Sequence, residues 1–552
     1  MSDDRASTGS RFDAIVIGAG FAGMYMLHKL RGLGLSVRVF DTAQGVGGTW
    51  YWNRYPGARC DVVSVDYSYS FSDELQQQWN WSEKFAAQPE ILGYAEFVAD
   101  KLDLKRDIQF ETRVESMVYD EARQQWAVAT DRGEQFAARF CIMATGCLSI
   151  PKEPDIPGLS DFAGPIYFTS RWPHDEIDFS GKTVGLIGTG SSGIQVGPEI
   201  ARQADQLLVF QRNPSFTLPA RNTDLAPDFL DEVKRHYPER RAAARAHPAG
   251  HLRPLTDRPT FSMDERERRE RFENAWARGA HDIFGEFGDL LVSEQANAEV
   301  SRIFHDKIGT IVADPTTAEA LKPKSYPFGG RRVCLDTDYY DMFNRDNVDL
   351  IDVLKDPIET IVSDGIKTRN GRYRLDALVL ATGFDAMTGA LLAIDIRGRG
   401  GRSLRDKWGH GPASYLGIAI EGFPNLFTIT GPGSPSVLSN VVAAIEQHVE
   451  WLAGLIGHMQ SHGIGEVEAD AATEEKWVRH VYDLAKDTLL MKGNSWYLGA
   501  NVPGKPQVFM PYIGGLVVYR QRCDAIAAAG YEGFHFAAAR PSTGSAAEAT
   551  VG

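Results

Sequence analysis

The sequence predicts an α/β protein made of two dinucleotide-binding (Rossmann-like) domains with a helical insertion. Three observations carry that expectation. The apolar run at residues 12–17 ends in Gly18-Ala19-Gly20-Phe21-Ala22-Gly23, and a second run at 182–187 ends in Gly188-Thr189-Gly190-Ser191-Ser192-Gly193. Each is a G-x-G-x-x-G turn between a strand-like run and a helical pattern, which aims unpaired helix N–H groups at a pyrophosphate. Between about 222 and 322 the composition shifts to dense charge, as in Glu239-Arg240-Arg241 and from Asp264 to Arg271. That stretch reads as helices with solvated charged faces.

A chain of 552 residues is too long for one core, and 43% hydrophobic with 24% charged residues is ordinary for a globular protein. The net charge of −15 and the lack of a basic cluster argue against nucleic acid as a partner. Cys60, Cys141, Cys147, Cys334 and Cys523 are scattered and never form a CxxC pair. They predict a reducing compartment, no zinc site and no dithiol centre. The apolar stretch 14–27 is interrupted by three glycines and follows the charged opening Met1-Ser2-Asp3-Asp4-Arg5. Neither a signal peptide nor a membrane span is expected, and a cytoplasmic location is.

In chain order, a second strand at 36–40 ends at Asp41, eighteen residues past Gly23. A carboxylate there accepts hydrogen bonds from both ribose hydroxyls and repels a 2′-phosphate, which suits FAD or NAD. The loop from Gly47 to Asp61 then gathers two adjacent glycines, Trp50, Tyr51, Trp52 and Tyr55, Arg54 and Arg59, a Pro-Gly turn and Asp61. Glycines admit a ligand close to the backbone, aromatic rings cover a flat ring system, and the arginine and aspartate hold charge in a partly dry site.

A helix is expected from Gln88 to about Leu102, strands through Val114 and at 126–128, and a further strand at 140–143 entering Ala144-Thr145-Gly146. The same tripeptide recurs at Ala381-Thr382-Gly383 after the run 377–380. Past the second fingerprint, the strand at 207–210 ends in Gln211-Arg212-Asn213, and Arg212 holds the slot that Asp41 holds in the first unit. A guanidinium there pairs with a 2′-phosphate, so the first site fits FAD and the second NADPH. After the insertion, Arg331 and Arg332 follow a Gly329-Gly330 turn and precede a strand. The Gly/Pro/Ser-rich loop 430–440 leads into a long helix near Val441, and 494–499 reads as a ligand-covering loop. The Ala-, Ser-, Thr- and Gly-rich end reads as a disordered tail from about Ala537.

Together these stretches, from Phe12 to about Tyr531, resemble the type I Baeyer–Villiger monooxygenases, with a likeness to the phenylacetone and steroid monooxygenase branch. The family motif GGxW, four residues, Tyr/Phe-Pro-Gly, three residues and Asp is matched in full from Gly47 to Asp61. The loop Gly431-Pro432-Gly433-Ser434-Pro435-Ser436 and the segment from Gly493 to Pro506 are similar to that branch's active-site loop and covering segment. The chain departs from the fingerprint FxGxxxHxxxWP, which spans Phe162 to Pro173, because Phe168 stands where the family has histidine. A phenylalanine cannot make an imidazole's hydrogen bonds, and Tyr167 and His174 are the neighbours able to replace them.

The resemblance implies an NADPH- and O2-dependent flavoprotein that inserts oxygen beside a ketone carbonyl through a 4a-peroxyflavin, giving an ester or lactone. It implies Arg332 and Asp61 as catalytic. It implies a cofactor set of Gly18, Gly20, Gly23, Asp41, Gly48, Thr49, Trp50, Asp61, Tyr67, Val114 and Val441 on the FAD side. On the NADPH side the set is Arg59, Gly188, Thr189, Gly190, Ser191, Ser192, Gln195, Arg212, Asn213, Arg331 and Trp496. Val62, Leu148, Pro435, Ser436, Leu438 and Ser439 are implied to line a roomy ketone pocket. No metal is expected.

The domain division that follows is 1–146 with 385–540 for FAD, 147–212 with 331–384 for NADP, 213–330 as the insertion and 541–552 as the tail. The implied partners are a small-molecule ketone and O2, with no nucleic acid or membrane, and a monomer is expected. An N- or S-oxidising flavin monooxygenase and an uncoupled NADPH-oxidising flavoprotein stay open, while a disulfide reductase is disfavoured by the absence of CxxC.

Overall fold

In the computed structural model, which describes residues 10–540, the first apolar run forms the strand Ser10–Ile17 and its glycine turn opens the helix Phe21–Gly32. Ala14, Ile15 and Val16 are fully buried because the strand lies between parallel neighbours and is covered on both faces. The eight-stranded sheet around it runs in the order Asp395–Arg397, Val114–Asp120, Gln125–Thr130, Gln135–Met143, Ser10–Ile17, Val37–Phe40, Ile108–Gln109. Leu426–Thr428 also pairs with Gln135–Met143, in parallel. Strands from both ends of the chain therefore build one sheet, and the helix Val441–Ser461 packs beside Phe21–Gly32 beneath it.

The second sheet is parallel throughout, in the order Val348–Asp352, Gln206–Gln211, Thr183–Ile187, Ala377–Leu380, Ile166–Phe168. The helix Ser191–Gln203 follows its central strand. A three-stranded antiparallel sheet, Ile358–Val362, Gly365–Thr368 and Arg372–Arg374, lies between the last two of its strands in sequence. Its charged, half-exposed composition gives no apolar run, so the pattern of the sequence does not reveal it.

Between the sheets' segments the chain is helical. Pro227–Arg235, Tyr237–Arg245, Glu265–Arg278, Glu294–Ile311 and Pro315–Ala320 are the α-helices of the insertion. Its charge runs form surface ion pairs, such as Arg258 with Glu267 at 2.6 Å and Arg271 with Glu286 at 2.8 Å. The expectation of a disordered tail from about Ala537 needs correction. Phe534–Ala538 is a strand, paired antiparallel with Ile464–Ala469, because backbone pairing along an open edge outweighs the low hydrophobicity of its end. The tail assigned to 541–552 lies outside the described residues.

Candidate active site

The two glycine turns have the same geometry. Gly18 and Gly188 take φ of +106° and +112°, and a Cβ on either would fall 2.4 Å from a carbonyl oxygen, of Ala144 and of Ala381 respectively. The repeated Ala-Thr-Gly tripeptide thus packs each time against its own turn, which only glycine permits. Gly23 and Gly193 press equally closely on the oxygens of Gly18 and Gly188. Gly20 and Gly190 are the N-caps of Phe21–Gly32 and Ser191–Gln203, with no side-chain cap on either helix. Elsewhere Ser72, Asp264 and Ser293 cap their helices with side chains. Two uncapped helix ends behind glycine turns fit two dinucleotide pyrophosphates. Around Gly190 the space a Cβ would occupy is open, and Gly20 faces only Gly48.

Asp41 accepts the Ala19 N–H at 2.6 Å and the Ala43 N–H at 2.8 Å. Burial raises its carboxyl above the usual range, and these backbone donors oppose the rise. Val114 is buried at the start of its strand, in the segment whose Thr112 N–H binds the Asp41 carbonyl at 2.9 Å. Gly48, Thr49 and Trp50 lie over the first turn, because Gly47 donates to Ala19 O at 3.1 Å and a Cβ on Gly48 would come within 3.0 Å of Gly20. Trp50 Nε1 donates to Tyr67 Oη at 3.1 Å, fixing both buried rings.

The same loop crosses to the second unit. Tyr55 donates to Gln195 Oε1 at 2.8 Å, Gln195 Nε2 donates to Arg59 O at 3.1 Å, and Gly57 approaches Gln195 so closely that a Cβ there would lie 2.4 Å from its carbonyl. Arg59 itself pairs with Glu83 and donates to Phe85 O, so its guanidinium is already engaged. Ser191 Oγ sits 2.9 Å from Cys334 Sγ, and Ser192 interacts with Tyr55. Thr189 Oγ1 donates to Asn213 O at 2.8 Å, which ties the turn to the strand end carrying Arg212. Arg212 is exposed, and its field acts on both Arg331 and Lys152. Arg331 stacks 4.2 Å over Tyr326 and donates Nε to Gly493 O at 2.7 Å.

Arg332 and Asp61, 271 residues apart, form an ion pair through Nη2 and Oδ2. Asp61 keeps 15% of its side-chain surface and Arg332 35%, so the pair is shielded yet open on the arginine's side. Burial pushes the Asp61 carboxyl up, but Arg332 and then His281 outweigh it, leaving it below the usual carboxylate range. Asp61 in turn raises the Arg332 guanidinium. The guanidinium therefore holds its protons, and the carboxylate is the acceptor that fixes its direction.

His281 donates Nε2 to Val333 O at 3.0 Å, and burial lowers its pKa. Tyr497 is close enough for Arg332 to act on it, although burial dominates and pushes its hydroxyl up to about 12. Sequence reading missed His281 and Lys152, and it reached Tyr497 only as part of the covering loop 494–499. His281 follows a charged helix of the insertion, and no motif marks it.

Leu148 and Trp496 pack into one small apolar cluster with Val437, and Leu438 joins Trp496 in an adjoining one. Pro435 and Ser436 are buried, Ser436 at φ +40° with its side chain facing the Cys147 thiol. Ser439 Oγ donates back to Ser436 O at 3.2 Å. Val62 is half-buried beside Asp61, and Val441 opens the helix that Asn440 caps. At the fingerprint's departure, Phe168 lies under the Arg171 guanidinium at 4.2 Å. Tyr167 packs on Trp172 and Phe179, while His174 packs on Tyr51. Neither replaces an imidazole's hydrogen bonds among the described residues.

A family model described as pyridine nucleotide-disulphide oxidoreductase matches residues 15–258. The acetone monooxygenase (methyl acetate-forming) of Gordonia sp. (strain TY-5) is 42% identical over 95% of this chain and 98% of its own. The phenazine N-monooxygenase PhzNO1 of Lysobacter antibioticus is 41% identical over 95% and 97%. An oxidized steroid monooxygenase bound to NADP has 48% identity and a TM-score of 0.92, covering 96% of this chain and 99% of that one. A complex of OTEMO with FAD and NADP has 38% identity and a TM-score of 0.92, covering 95% and 99%.

Proposed function

The chain belongs to the flavin-dependent Baeyer–Villiger monooxygenases, and we infer that its Arg332–Asp61 pair serves that family's reaction. A ketone, O2, NADPH and a proton give an ester or lactone, NADP+ and water. The cofactors are FAD and NADPH. Bound FAD supplies the redox chemistry, accepting hydride from NADPH and activating O2.

The protein's share is to bind, orient and shield. The turn at Gly18, Gly20 and Gly23, Asp41 and the loop from Gly48 to Tyr67 would hold FAD. The turn at Gly188, Gly190 and Gly193 would hold the NADPH pyrophosphate, and Arg212 with Arg331 would meet its 2′-phosphate, joined by Lys152. Arg332 stabilises the negative charge that develops on the carbonyl oxygen as oxygen is inserted. It does so without losing a proton, because Asp61 Oδ2 holds Nη2 in place. Leu148, Leu438 and Trp496 give the ketone an apolar wall that keeps water from the reacting carbon. A bulky cyclic or arylated ketone suits that wall.

The domain division 1–146 with 385–540, 147–212 with 331–384 and 213–330 is part of this reading, and the strand membership of the two sheets supports it. A monomer in the cytoplasm with no nucleic-acid partner is also proposed. The net charge of −15 and the free cysteines support it, and no described helix is long and apolar enough to cross a membrane.

The observation that carries the function is the Arg332–Asp61 pair, set where the first unit's loop meets the second unit's helix. Incubation with NADPH, O2 and a ketone panel, read by mass spectrometry, tests it: an ester or lactone is expected. A phenazine belongs in the panel, because a 41%-identical relative is a phenazine N-monooxygenase. N-oxide without ester would favour that second reading, and NADPH consumption without product would mark an uncoupled oxidase.

A further inference from the structure

A second cation, with no partner among the described residues, lies near His281, whose ring also feels the Arg332–Asp61 pair. The insertion sends residues 247–254 across the end of Val441–Ser461, where Asn440 donates its N–H to Ala249 O at 2.7 Å and its amide to Gly250 O at 3.3 Å. Gly250, at φ +69°, allows the approach, since a Cβ would meet Leu516 at 2.8 Å and Ala443 at 3.3 Å. On the other side Pro254 presses on Gly285, just past His281. The segment is thus held between Asn440, which follows the Leu438–Ser439 loop, and Gly285, four residues past His281.

Arg253, in that segment, is half-buried. Its Nε is sealed from solvent without a hydrogen bond, and its guanidinium has no acceptor or ion-pair partner among the described residues. His251 Nδ1 is buried and unpartnered too. Asp66, the carboxylate whose field reaches His251, is committed to Arg240 through bonds of 2.7 and 2.9 Å. His281 feels Asp61, Arg332 and Arg253 together, so the two arginines flank one neighbourhood. Burial lowers His251 to about 4, so that ring is neutral near pH 7, while a guanidinium stays charged. Removing a cation from water without a counter-ion is costly, and a carboxylate offers the forked acceptor that offsets it.

We propose that Arg253 receives a carboxylate carried by the ketone substrate, on the part of the molecule remote from the carbonyl that meets Arg332. The enzyme then selects keto acids over their neutral esters. This rests on the Baeyer–Villiger reading, and it names the substrate class of that site.

The test uses the FAD-loaded enzyme with NADPH, an arylacetone carrying a para carboxylate, and its methyl ester. The wild type is expected to favour the acid in kcat/KM. Arg253→Met should lower the acid-to-ester ratio roughly ten- to a hundredfold, the scale of a lost charged bidentate contact, and Arg253→Lys should restore part of it. Calorimetric binding of the acid should weaken in the same order, which decides the matter even if neither ketone is oxygenated. An unchanged ratio, or a parallel rise in the NADPH KM, would overturn the assignment, the latter by making the cofactor the source of the anion. Oxygenation of the methyl ester without preference for the acid leaves the Baeyer–Villiger reading standing and sinks only this one.

Discussion

Arg332 and Asp61 matter for what each does to the other's proton. The carboxylate raises the guanidinium, the guanidinium lowers the carboxyl, and the charge pair stays fixed across the working pH range. Arg332→Ala should leave flavin reduction by NADPH in place and cut ester yield by at least about a hundredfold, since a transition-state donor of this kind contributes that much. Stopped-flow absorbance for reduction and gas chromatography for product check the two halves. These two residues were legible because a spaced motif and a double arginine mark them. Arg253 and His281 were not, since nothing in the local sequence distinguishes an arginine whose Nε is buried without a partner among the described residues from one on a solvated helix.

At the scale of elements, the proposed function gives each strand-turn-helix unit its own ligand, so damage to one should separate from damage to the other. Gly18→Ala places a Cβ 2.4 Å from Ala144 O at φ +106°, and the protein should purify with little FAD. Gly188→Ala makes the same clash with Ala381 O, and it should retain FAD while its KM for NADPH rises. Flavin absorbance per protein and steady-state kinetics distinguish them.

The short strand Cys334–Asp336, which pairs with Thr217–Pro219, holds a carboxyl of a different kind. Burial raises Asp336 from 3.8 to about 6, against the opposing Thr217 hydroxyl at 2.5 Å and the Tyr339 N–H at 3.3 Å. Folding therefore favours its protonated form. The stability it contributes is full below the ordinary value and is lost as pH rises through about 6. Asp336→Asn should gain on the wild type by about 2–3 kcal/mol between roughly pH 4 and 7, measured as urea midpoints at the two pH values. The main strands and both glycine turns were readable from apolar runs. The antiparallel sheet at 358–374 was not, because its strands are short, charged and half exposed.

Over the whole molecule, the insertion is fastened to the first unit by Arg240, which grips the fully buried Asp66 carboxylate through two bonds of 2.7 and 2.9 Å. Arg240→Met would leave that carboxylate in place without its guanidinium. A loss of about 2–3 kcal/mol is expected, toward the low end for a broken buried pair because Arg240 is partly exposed. Hydrogen exchange should speed up in Pro227–Arg235 and Tyr237–Arg245 before it does in the eight-stranded sheet; uniform acceleration would count against a local clamp.

By itself the sequence determined two nucleotide folds, their helical interruption and the arginine-aspartate motif. Those rest on local periodicity, on glycine's freedom at positive φ and on charge type, all of which are written residue by residue. Only the tertiary structure decided that Arg59 pairs with Glu83, that residues 534–538 close a strand pair, and that Asp61, Arg253, His281 and Arg332 come from remote segments into one neighbourhood. Burial and pairing belong to packed surfaces, and no stretch of sequence contains the partner that a side chain meets only after folding.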